Sequence, residues 1–311
     1  MDAVYTWVDG SGAAFQEALR LHAGPAAGAN RFRDNGELRY SLRSLARHAP
    51  WVNRIHILTN GQAPRWLDVS HPRIHLVSHS EVFPDAQCLP TFNSHAIEMC
   101  LHRIPGLSRL FLYLNDDFFL CRDVRPEDFL TPAGGQVVFL EDLLLATDPA
   151  NGAVREKACA YTQKLIATRW EGPSTPRLTP AHAPQAYDRD TLFRLESLFA
   201  DEFRQTAGHR LRSAVDLALN VLYACALLEF PAERGPHCAR VLPQRCSEYR
   251  FAMLENRYRR TMHHYARIVW ERPRFLCIND DLAGAPPGHP LLVSLRAFLS
   301  LYYWQPAPWE R

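Results

Sequence analysis

The chain has 311 residues, of which 47% are hydrophobic, so it can bury the core of one large domain or two small ones. Its 35 basic and 33 acidic residues nearly balance, which excludes a strong overall field and argues against a nucleic-acid partner. No Cys-x-x-Cys pair, signal-like start or apolar run of roughly 18–20 residues is present, so we expect a reduced, cytoplasmic, enzyme-sized protein.

Strand patterns alternate with helical ones in the first third of the chain. The predicted strands cover residues 3–8, 53–59 and 73–77. The first ends in Asp9 and a Gly/Ser loop, where a ligand can approach the backbone, and the second ends in Asn60 and Gly61. Residues 31–45 predict a helix, because leucines recur there at the spacing of one helix face. This alternation is typical of a parallel α/β sheet.

Two interpretations are open for the polar residues at the start of this helix. Asp34 and Glu37 have the spacing of a capping box, which is a purely structural role. Guanidinium groups at a helix start also suit phosphate oxygens, although exposed helix arginines are common. The same segment carries Arg31, Arg33, Arg39 and Arg43.

The most informative stretch is the buried strand predicted over residues 110–114, which ends in Asn-Asp-Asp at residues 115–117. The helix before it is predicted to be capped by Asn93 or Ser94. Adjacent carboxylates at the end of a buried strand are costly unless compensated, and ligands of α/β sheets bind at this edge. A metal–phosphate site is one interpretation, and a solvated turn or helix cap is the other.

The second half of the chain is predicted to be mainly helical. Residues 137–140 predict a strand, and residues 147–190 predict an irregular insertion. The last helix either packs on the core or contacts a membrane surface, a second copy of the chain or another partner. The predicted helices cover residues 192–208, residues 214–230 with Ser213 as their cap, residues 249–270 and residues 291–303.

A second strand with an acidic end follows near the carboxyl terminus. Residues 275–278 predict a short strand, and Asn279, Asp280 and Asp281 come directly after it. Two such strand ends side by side would form an oxygen-rich pocket for one Mg²⁺ or Mn²⁺.

Several of these segments resemble the Stealth family, which includes bacterial capsule hexose-1-phosphate transferases and the catalytic part of animal GlcNAc-1-phosphotransferase. All four family regions appear in order from residue 2 to about 281, although Gly36 stands where the family usually has an acidic residue. The matching motifs are Tyr-Thr-Trp-Val-Asp-Gly at residues 5–10, Arg-Phe-Arg-Asp-Asn at 31–35, Leu-Thr-Asn-Gly-Gln at 58–62, Leu-Pro-Thr-Phe-Asn-Ser-His at 89–95, Leu-Tyr-Leu-Asn-Asp-Asp at 112–117, Pro-Ala-His at 180–182, Gly-His-Arg-Leu-Arg-Ser at 208–213 and Cys-Ile-Asn-Asp at 277–280.

The resemblance implies a fold and a reaction. The fold would be one catalytic domain over residues 1–311, with a mainly parallel, Rossmann-like and GT-A-like α/β sheet for a nucleotide sugar in residues 1–145. An irregular insertion would follow in residues 146–190, and a helical part that returns to the sheet near residues 275–281 would occupy residues 191–311. The reaction would move a hexose 1-phosphate, such as GlcNAc-1-phosphate, from a UDP-sugar donor to a glycan or polysaccharide hydroxyl and release UMP.

The resemblance also implies a setting, namely capsule or exopolysaccharide synthesis in the cytoplasm or at the inner face of the membrane. The alternatives are a glycosyltransferase that releases UDP and a non-catalytic glycan-binding protein. A histidine in a loop is usually just solvated, and only the resemblance makes His182 a candidate general base.

The resemblance finally assigns roles to individual residues, with either His182 or Asp34 as the base. The catalytic residues would be His182, Asp34, Arg210, Arg212 and Arg39. The substrate-binding residues would be Thr6, Trp7, Asp9, Asn60, Gly61, Asn93, Ser94, His95 and Asn115. The ligands of Mg²⁺ or Mn²⁺ would be Asp116, Asp117, Asn279 and Asp280.

Overall fold

A computed structural model of the protein describes residues 1–23, 29–169, 176–230, 235–243 and 246–311. Within these residues the strands are β1 (Asp2–Thr6), β2 (Ile55–Thr59), β3 (Ile74–Ser78), β4 (Leu110–Asn115), β5 (Phe118–Leu120), β6 (Val137–Leu144), β7 (Leu178–Pro180), β8 (Gln185–Asp188), β9 (Cys238–Leu242), β10 (Tyr249–Leu254) and β11 (Phe275–Asp280). The α-helices are α1 (Ala13–Ala23), α2 (Glu37–His48), α3 (His79–Val82), α4 (Ser94–Glu98), α5 (Val154–Arg169), α6 (Arg189–Leu198), α7 (Ala200–Gly208), α8 (Leu219–Glu229), α9 (Tyr258–Glu271) and α10 (Pro290–Tyr302).

The central sheet has five strands in the order β3-β2-β1-β4-β8. The first four strands are parallel, and β8 runs antiparallel to β4 at the edge. This arrangement confirms the predicted α/β fold class with a mainly parallel sheet. The chain leaves β1 toward β2 and later returns on the other side of β1 as β4, so the strand order reverses between β1 and β4. Ligands of open α/β sheets bind at the carboxyl edge of such a reversal.

A smaller sheet, β10-β11-β5, joins the central one at that edge. Strand β5 follows β4 after only Asp116 and Asp117 and pairs antiparallel with β11, with Phe118 opposite Cys277. The backbone N–H of Ile278 donates to the carbonyl of Asp117 at 3.2 Å. The two predicted acidic strand ends are therefore brought together at one corner.

Helix α2 covers this corner through polar contacts as well as apolar ones. Its leucine stripe is buried as predicted. On the same buried face, Ser41 Oγ donates to the carbonyl of Phe118, and Ser44 Oγ accepts from the N–H of Leu120 at 3.0 Å. Buried hydroxyls are inexpensive when hydrogen-bonded, and here they fix β5 relative to α2.

Four local predictions were wrong where longer-range packing overrides the local pattern. The segment predicted as irregular over residues 147–190 contains α5, β7 and β8. Residues 249–254 form strand β10, which pairs with β11, and the helix is confined to α9. The helix predicted over residues 192–208 is interrupted at Phe199. Ser213 does not cap α8, which begins at Leu219 behind Ala218.

Helix α10 packs on the core through one face, which was one of the predicted alternatives. Leu292, Leu295 and Leu299 are fully buried, whereas Leu301 and Trp304 are 77% and 67% exposed. Contact of this exposed end with a membrane surface or a second copy stays a prediction. Among the described residues, no helix has the length and apolar character to cross a membrane.

Candidate functional site

Four acidic residues converge where β4 meets α2, and we call them the carboxylate cluster: Asp34, Glu37, Asp116 and Asp117. Burial raises the pKa of Glu37 to about 8 and that of Asp117 to about 6. The pKa of Asp116 lies well above its usual range because of burial and the charges of the other three carboxylates. Burial also raises the pKa of Asp34. Carboxyl groups crowded in this way hold protons unless a cation replaces them.

The turn before α2 fixes two members of the cluster. Gly36 takes a left-handed conformation, with φ of 88°, and precedes α2 without a side-chain cap, so the predicted capping box is not formed. Instead, Asp34 Oδ1 accepts from the N–H of Gly36 at 2.7 Å. Glu37 accepts from the N–H of Asn35 at 2.6 Å and from Asn35 Nδ2 at 2.8 Å. These bonds hold both carboxyl groups on the Asp116 side of the turn.

Asp117 has one occupied and one unoccupied oxygen. Its Oδ2 accepts from Asn279 Nδ2 and from Cys277 Sγ, both at 3.3 Å. Its Oδ1 is buried and has no hydrogen-bond partner in the part of the chain that the structure describes. A buried carboxylate oxygen without a donor is costly, which makes it a natural ligand for a cation.

Asp280 follows Asn279 at the end of β11, but its side chain is bound by residues of the segment before α2. Arg33 Nη1 donates to Asp280 Oδ2 at 2.7 Å, and Asn35 Nδ2 donates to the same oxygen at 3.3 Å. The Asp280 carboxylate is thus compensated by a guanidinium group. Of the four predicted metal ligands, the structure brings Asp116, Asp117 and Asn279 together, whereas the side chain of Asp280 is bound by Arg33 and Asn35.

His182 lies beside Asp117, with a ring nitrogen within 4.8 Å of a carboxylate oxygen of that residue. Its ring packs edge-on against Phe118 and Phe251, with ring centroids 4.8 and 5.6 Å away. Burial lowers the pKa of His182 to about 3, and the nearby positive charges of Arg155 and Arg212 act in the same direction. The imidazole is therefore neutral at physiological pH, and a ring nitrogen keeps its lone pair.

Three arginines near His182 act on one another electrostatically, and we call them the arginine cluster: Arg31, Arg155 and Arg212. Arg212 donates to Ser94 Oγ at 2.7 and 3.2 Å. Protein atoms around Arg31 and the charge of Arg212 lower the pKa of Arg31 to about 10. No described carboxylate forms a salt bridge with any of the three within 4.0 Å. The charge of the buried Glu98 carboxylate does act on Arg155 and Arg212, but three crowded guanidinium groups that form no salt bridge with a described carboxylate remain suited to an anion.

A buried network holds the segment that carries Arg212. Asn93 caps α4 as predicted, because its side chain accepts from the N–H of His95. Asn93 Nδ2 also donates to Asp216 Oδ2 at 2.9 Å, and His95 Nδ1 lies 3.2 Å from the same oxygen. Asp216 in turn contacts His209 Nδ1 at 2.7 Å. Asn93 and His95 therefore position the segment.

Two of the arginines predicted at phosphate are bound to the protein itself. Arg210 donates to the carbonyls of Gln87 and Leu89 at 2.8 and 3.0 Å. Arg39 donates to Glu310 at 2.6 Å and lies over the ring of Trp66. The structure does not bring either guanidinium into the arginine cluster, so their contact with phosphate stays a prediction without geometric support.

The predicted nucleotide-contacting loops do meet at the carboxyl edge of the sheet. Asp9 and Gln62 are joined by two hydrogen bonds, at 2.8 and 2.9 Å, which tie the loop after β1 to the loop after β2. A Cβ atom at Gly10 would lie 1.9 Å from the carbonyl oxygen of Phe32, so glycine is required there. Asn60 at this edge is exposed.

The remaining predicted binding residues lie between the loops and the arginine cluster. Thr6 Oγ1 is 3.2 Å from the hydroxyl of Tyr113, and that hydroxyl donates to Glu98 at 3.4 Å. Trp7 is 5% exposed and belongs to the core. Asn115 ends β4 beside Thr6.

Sequence reasoning missed Arg155 and Cys277 as members of the site. Arg155 lies on α5, inside the segment predicted to be irregular, so no pattern pointed to it. Cys277 alternates with Asn279 along β11, and that alternation could have placed its thiol on the Asp117 side.

Comparisons with known proteins agree with the resemblance. A model of Stealth protein conserved region 2 matches residues 31–138, and a model of conserved region 3 matches residues 181–225. The chain is 37% identical over 318 residues to exopolysaccharide phosphotransferase SCO6023 of Streptomyces coelicolor, and the aligned region covers 100% of this chain and 52% of that protein. It is 33% identical over 322 residues to exopolysaccharide phosphotransferase CpsY of Mycobacterium tuberculosis, with 100% of this chain and 58% of that protein covered.

The chain thus spans about half the length of the curated relatives it matches. Similarity to solved structures is weaker. The bifunctional glycosyltransferase WbbM shares 11% identity at a TM-score of 0.49, over 99% of this chain and 50% of that chain. The galactosyltransferase LgtC, solved with donor and acceptor sugar analogues, shares 13% identity at a TM-score of 0.46, with 98% of this chain and 95% of that chain covered. The two matched regions contribute the turn before α2, the end of β4, His182 and Arg212, and the chain belongs to the Stealth family.

Proposed function

We propose that this protein transfers a sugar 1-phosphate from a UDP-sugar to a glycan hydroxyl and releases UMP, in the synthesis of an exopolysaccharide or capsule. The observation that carries the proposal is the position of neutral His182 between the carboxylate cluster and the arginine cluster. A phosphoryl transfer needs a base for the acceptor, a cation for the diphosphate and positive charge for the transferred group. The names of the curated relatives support the same reaction class.

The residues at the corner fit a hard divalent cation such as Mg²⁺ or Mn²⁺. The carboxylate cluster offers oxygen ligands, and the buried Asp117 Oδ1 lacks any described donor. Asp116, Asp117 and the amide oxygen of Asn279 would hold the ion. When bound, the ion would neutralise charge on the diphosphate. Asp280 is a weaker candidate, because Arg33 already compensates its carboxylate.

His182 would take the proton of the acceptor hydroxyl. The acceptor oxygen then forms a bond to the phosphorus that carries the sugar, and the bond from that phosphorus to the oxygen of UMP breaks. A pKa of about 3 is low for a base, but it is depressed partly by Arg155 and Arg212. A bound diphosphate would offset both charges and so raise the pKa of His182, while the lowering due to burial, which is the larger cause, would remain. Asp34 is the less favoured base, because Gly36 already donates to it.

The arginine cluster would bind the phosphoryl oxygens. Arg155 and Arg212 lie close enough to His182 to lower its pKa, so a phosphate between them would also lie near the base. The loops joined through Asp9 and Gln62 would bind the nucleoside at the carboxyl edge of β1 and β2.

The leaving nucleotide tests the proposal. The protein is incubated with candidate UDP-sugars, Mg²⁺ and a glycan acceptor, and the nucleotides are separated. Attack on phosphorus releases UMP and leaves a phosphodiester in the product, which is the expected result. Release of UDP with a phosphorus-free product would instead identify a glycosyltransferase, and would contradict the proposed reaction.

A further inference from the structure

Three donor atoms of different chemical softness meet where β4 turns into β5. A carboxylate oxygen of Asp117, a ring nitrogen of His182 and Sγ of Cys277 all lie within 4.8 Å of one another. The three residues come from the turn after β4, the loop after β7 and strand β11, so the fold itself assembles the group. Cys277 is fully buried, and its thiol points at Asp117, to which it donates at 3.3 Å.

Each of the three groups can accept a metal ion. Asp117 Oδ1 is buried without a partner in the described ranges. The His182 ring packs edge-on against Phe118 and Phe251, and one of its nitrogens lies within reach of the other two ligand atoms. Burial and the charges of Asp117 and Asp116 raise the pKa of the Cys277 thiol well above its usual value, so the metal–sulfur bond has to form with displacement of the thiol proton by the metal ion.

The ligand chemistry selects the ion. Mg²⁺ demands oxygen ligands in octahedral geometry and gains nothing from sulfur or imidazole. One carboxylate, one imidazole and one thiolate suit Zn²⁺ or Co²⁺, and three protein ligands leave a fourth position open. We propose that Asp117, His182 and Cys277 form a site for a thiophilic divalent ion, Zn²⁺ in particular, and that occupation of this site blocks transfer. The blocking part rests on the proposed function, because an imidazole bound to Zn²⁺ cannot accept the proton of the acceptor.

Binding is tested with Co²⁺ as a spectroscopic probe on the whole chain. We expect one equivalent of Co²⁺ to give a thiolate-to-metal charge-transfer band that Zn²⁺ abolishes. Cys277→Ser should remove the band and weaken Zn²⁺ binding more than about 100-fold, since even changes outside the ligand set cost about 10–100-fold. Cys238→Ser is the matched control at an exposed cysteine and should keep the band.

A second variant guards against misfolding of the first. His182→Asn keeps the thiol but removes a ligand, so it should also weaken Zn²⁺ binding, while circular dichroism reports whether each variant is folded. No band in the wild-type protein, or an equal band in a folded Cys277→Ser variant, would overturn the site.

Inhibition is then measured with saturating Mg²⁺, as a fraction of the zinc-free rate of each protein. Zn²⁺ should inhibit the wild type, and Cys277→Ser should require about 100-fold more. Zinc that binds without inhibiting would overturn the blocking part. Absence of transfer from every UDP-sugar in zinc-free protein would instead contradict the proposed function, while the cobalt band would still establish the site.

Discussion

Replacing Glu37 with glutamine should change how the stability of this protein depends on pH. Glu37 is buried, with 5% of its surface exposed, and burial raises its pKa from 4.5 to about 8 in the folded chain. Between these values the unfolded chain has lost its proton and the folded chain has kept it. Each pH unit then costs about 1.4 kcal/mol of stability, which amounts to about 3 kcal/mol at pH 7. This contribution is fully present below pH 4.5 and is lost as the pH rises to about 8.

Glutamine cannot ionise, so Glu37→Gln should not show this loss. Its NH₂ group would face one of the two donors of Asn35, which costs about 1–3 kcal/mol at every pH. The variant should therefore be less stable than the wild type at pH 5, and by pH 7.5 the difference should shift in its favour by about 3 kcal/mol.

The assay is urea unfolding followed by circular dichroism at several pH values, in metal-free buffer. Glu127→Gln, at an exposed carboxylate, is the control and should follow the wild-type curve. If Glu37→Gln and the wild type lose stability in parallel between pH 5 and 7.5, Glu37 ionises normally, and the argument for a proton-holding carboxylate cluster is refuted.

Four further changes test other parts of the site. His182→Asn should lower kcat at least about 100-fold with little change in KM for the donor. An unchanged kcat would show that His182 is not the general base. Arg212→Lys should lower kcat/KM about 10–100-fold. Arg109→Lys is the control, because Arg109 precedes β4 at the end remote from the site, and it should leave kcat/KM unchanged. Equal effects of the two substitutions would show that Arg212 does not bind phosphate. Mg²⁺ should raise the melting temperature of the wild type above pH 6, where the Asp117 carboxyl ionises, and Asp117→Asn should abolish this rise. If the variant keeps the Mg²⁺-dependent rise in melting temperature, Asp117 does not bind the ion. Glu310→Gln should lower the unfolding free energy by about 3–5 kcal/mol in denaturant titrations, because two guanidinium groups lose a buried partner; a change below about 1 kcal/mol would contradict this.

The elements that set the position of the site could be predicted from the sequence because their signals are local. The strand ending at Asn115 is an uninterrupted apolar run, and Asn93 has the chemistry of a helix cap. The parallel sheet follows from the alternation of such elements. The sequence also suggested that the strand ends near Asp117 and Asn279 could lie side by side, but the antiparallel pairing of β5 with β11, in a second sheet, is what brings them together.

The rest depended on contacts that no local pattern encodes. Strand β10 was missed because its aromatic and basic residues also fit a helix, and pairing with β11 decides the outcome. Arg210 and Arg212 look equivalent in sequence, yet one binds backbone carbonyls and the other joins the arginine cluster. Asp280 and Asn279 are neighbours whose side chains leave opposite faces of β11, which separates their roles.

The pairing of β5 with β11 has a consequence for the synthesis of this protein. Phe118 and Cys277, which lie opposite each other in that pair, are far apart in the chain. A ribosome-bound chain therefore exposes the short apolar strand β5, with its hydrogen-bonding edge open, until β11 has emerged. Long-range pairing of this kind forms slowly and leaves intermediates prone to association. Chains truncated before residue 275 should accumulate in the insoluble fraction and bind no metal at this corner, so the emergence of β11 decides when the site comes into existence.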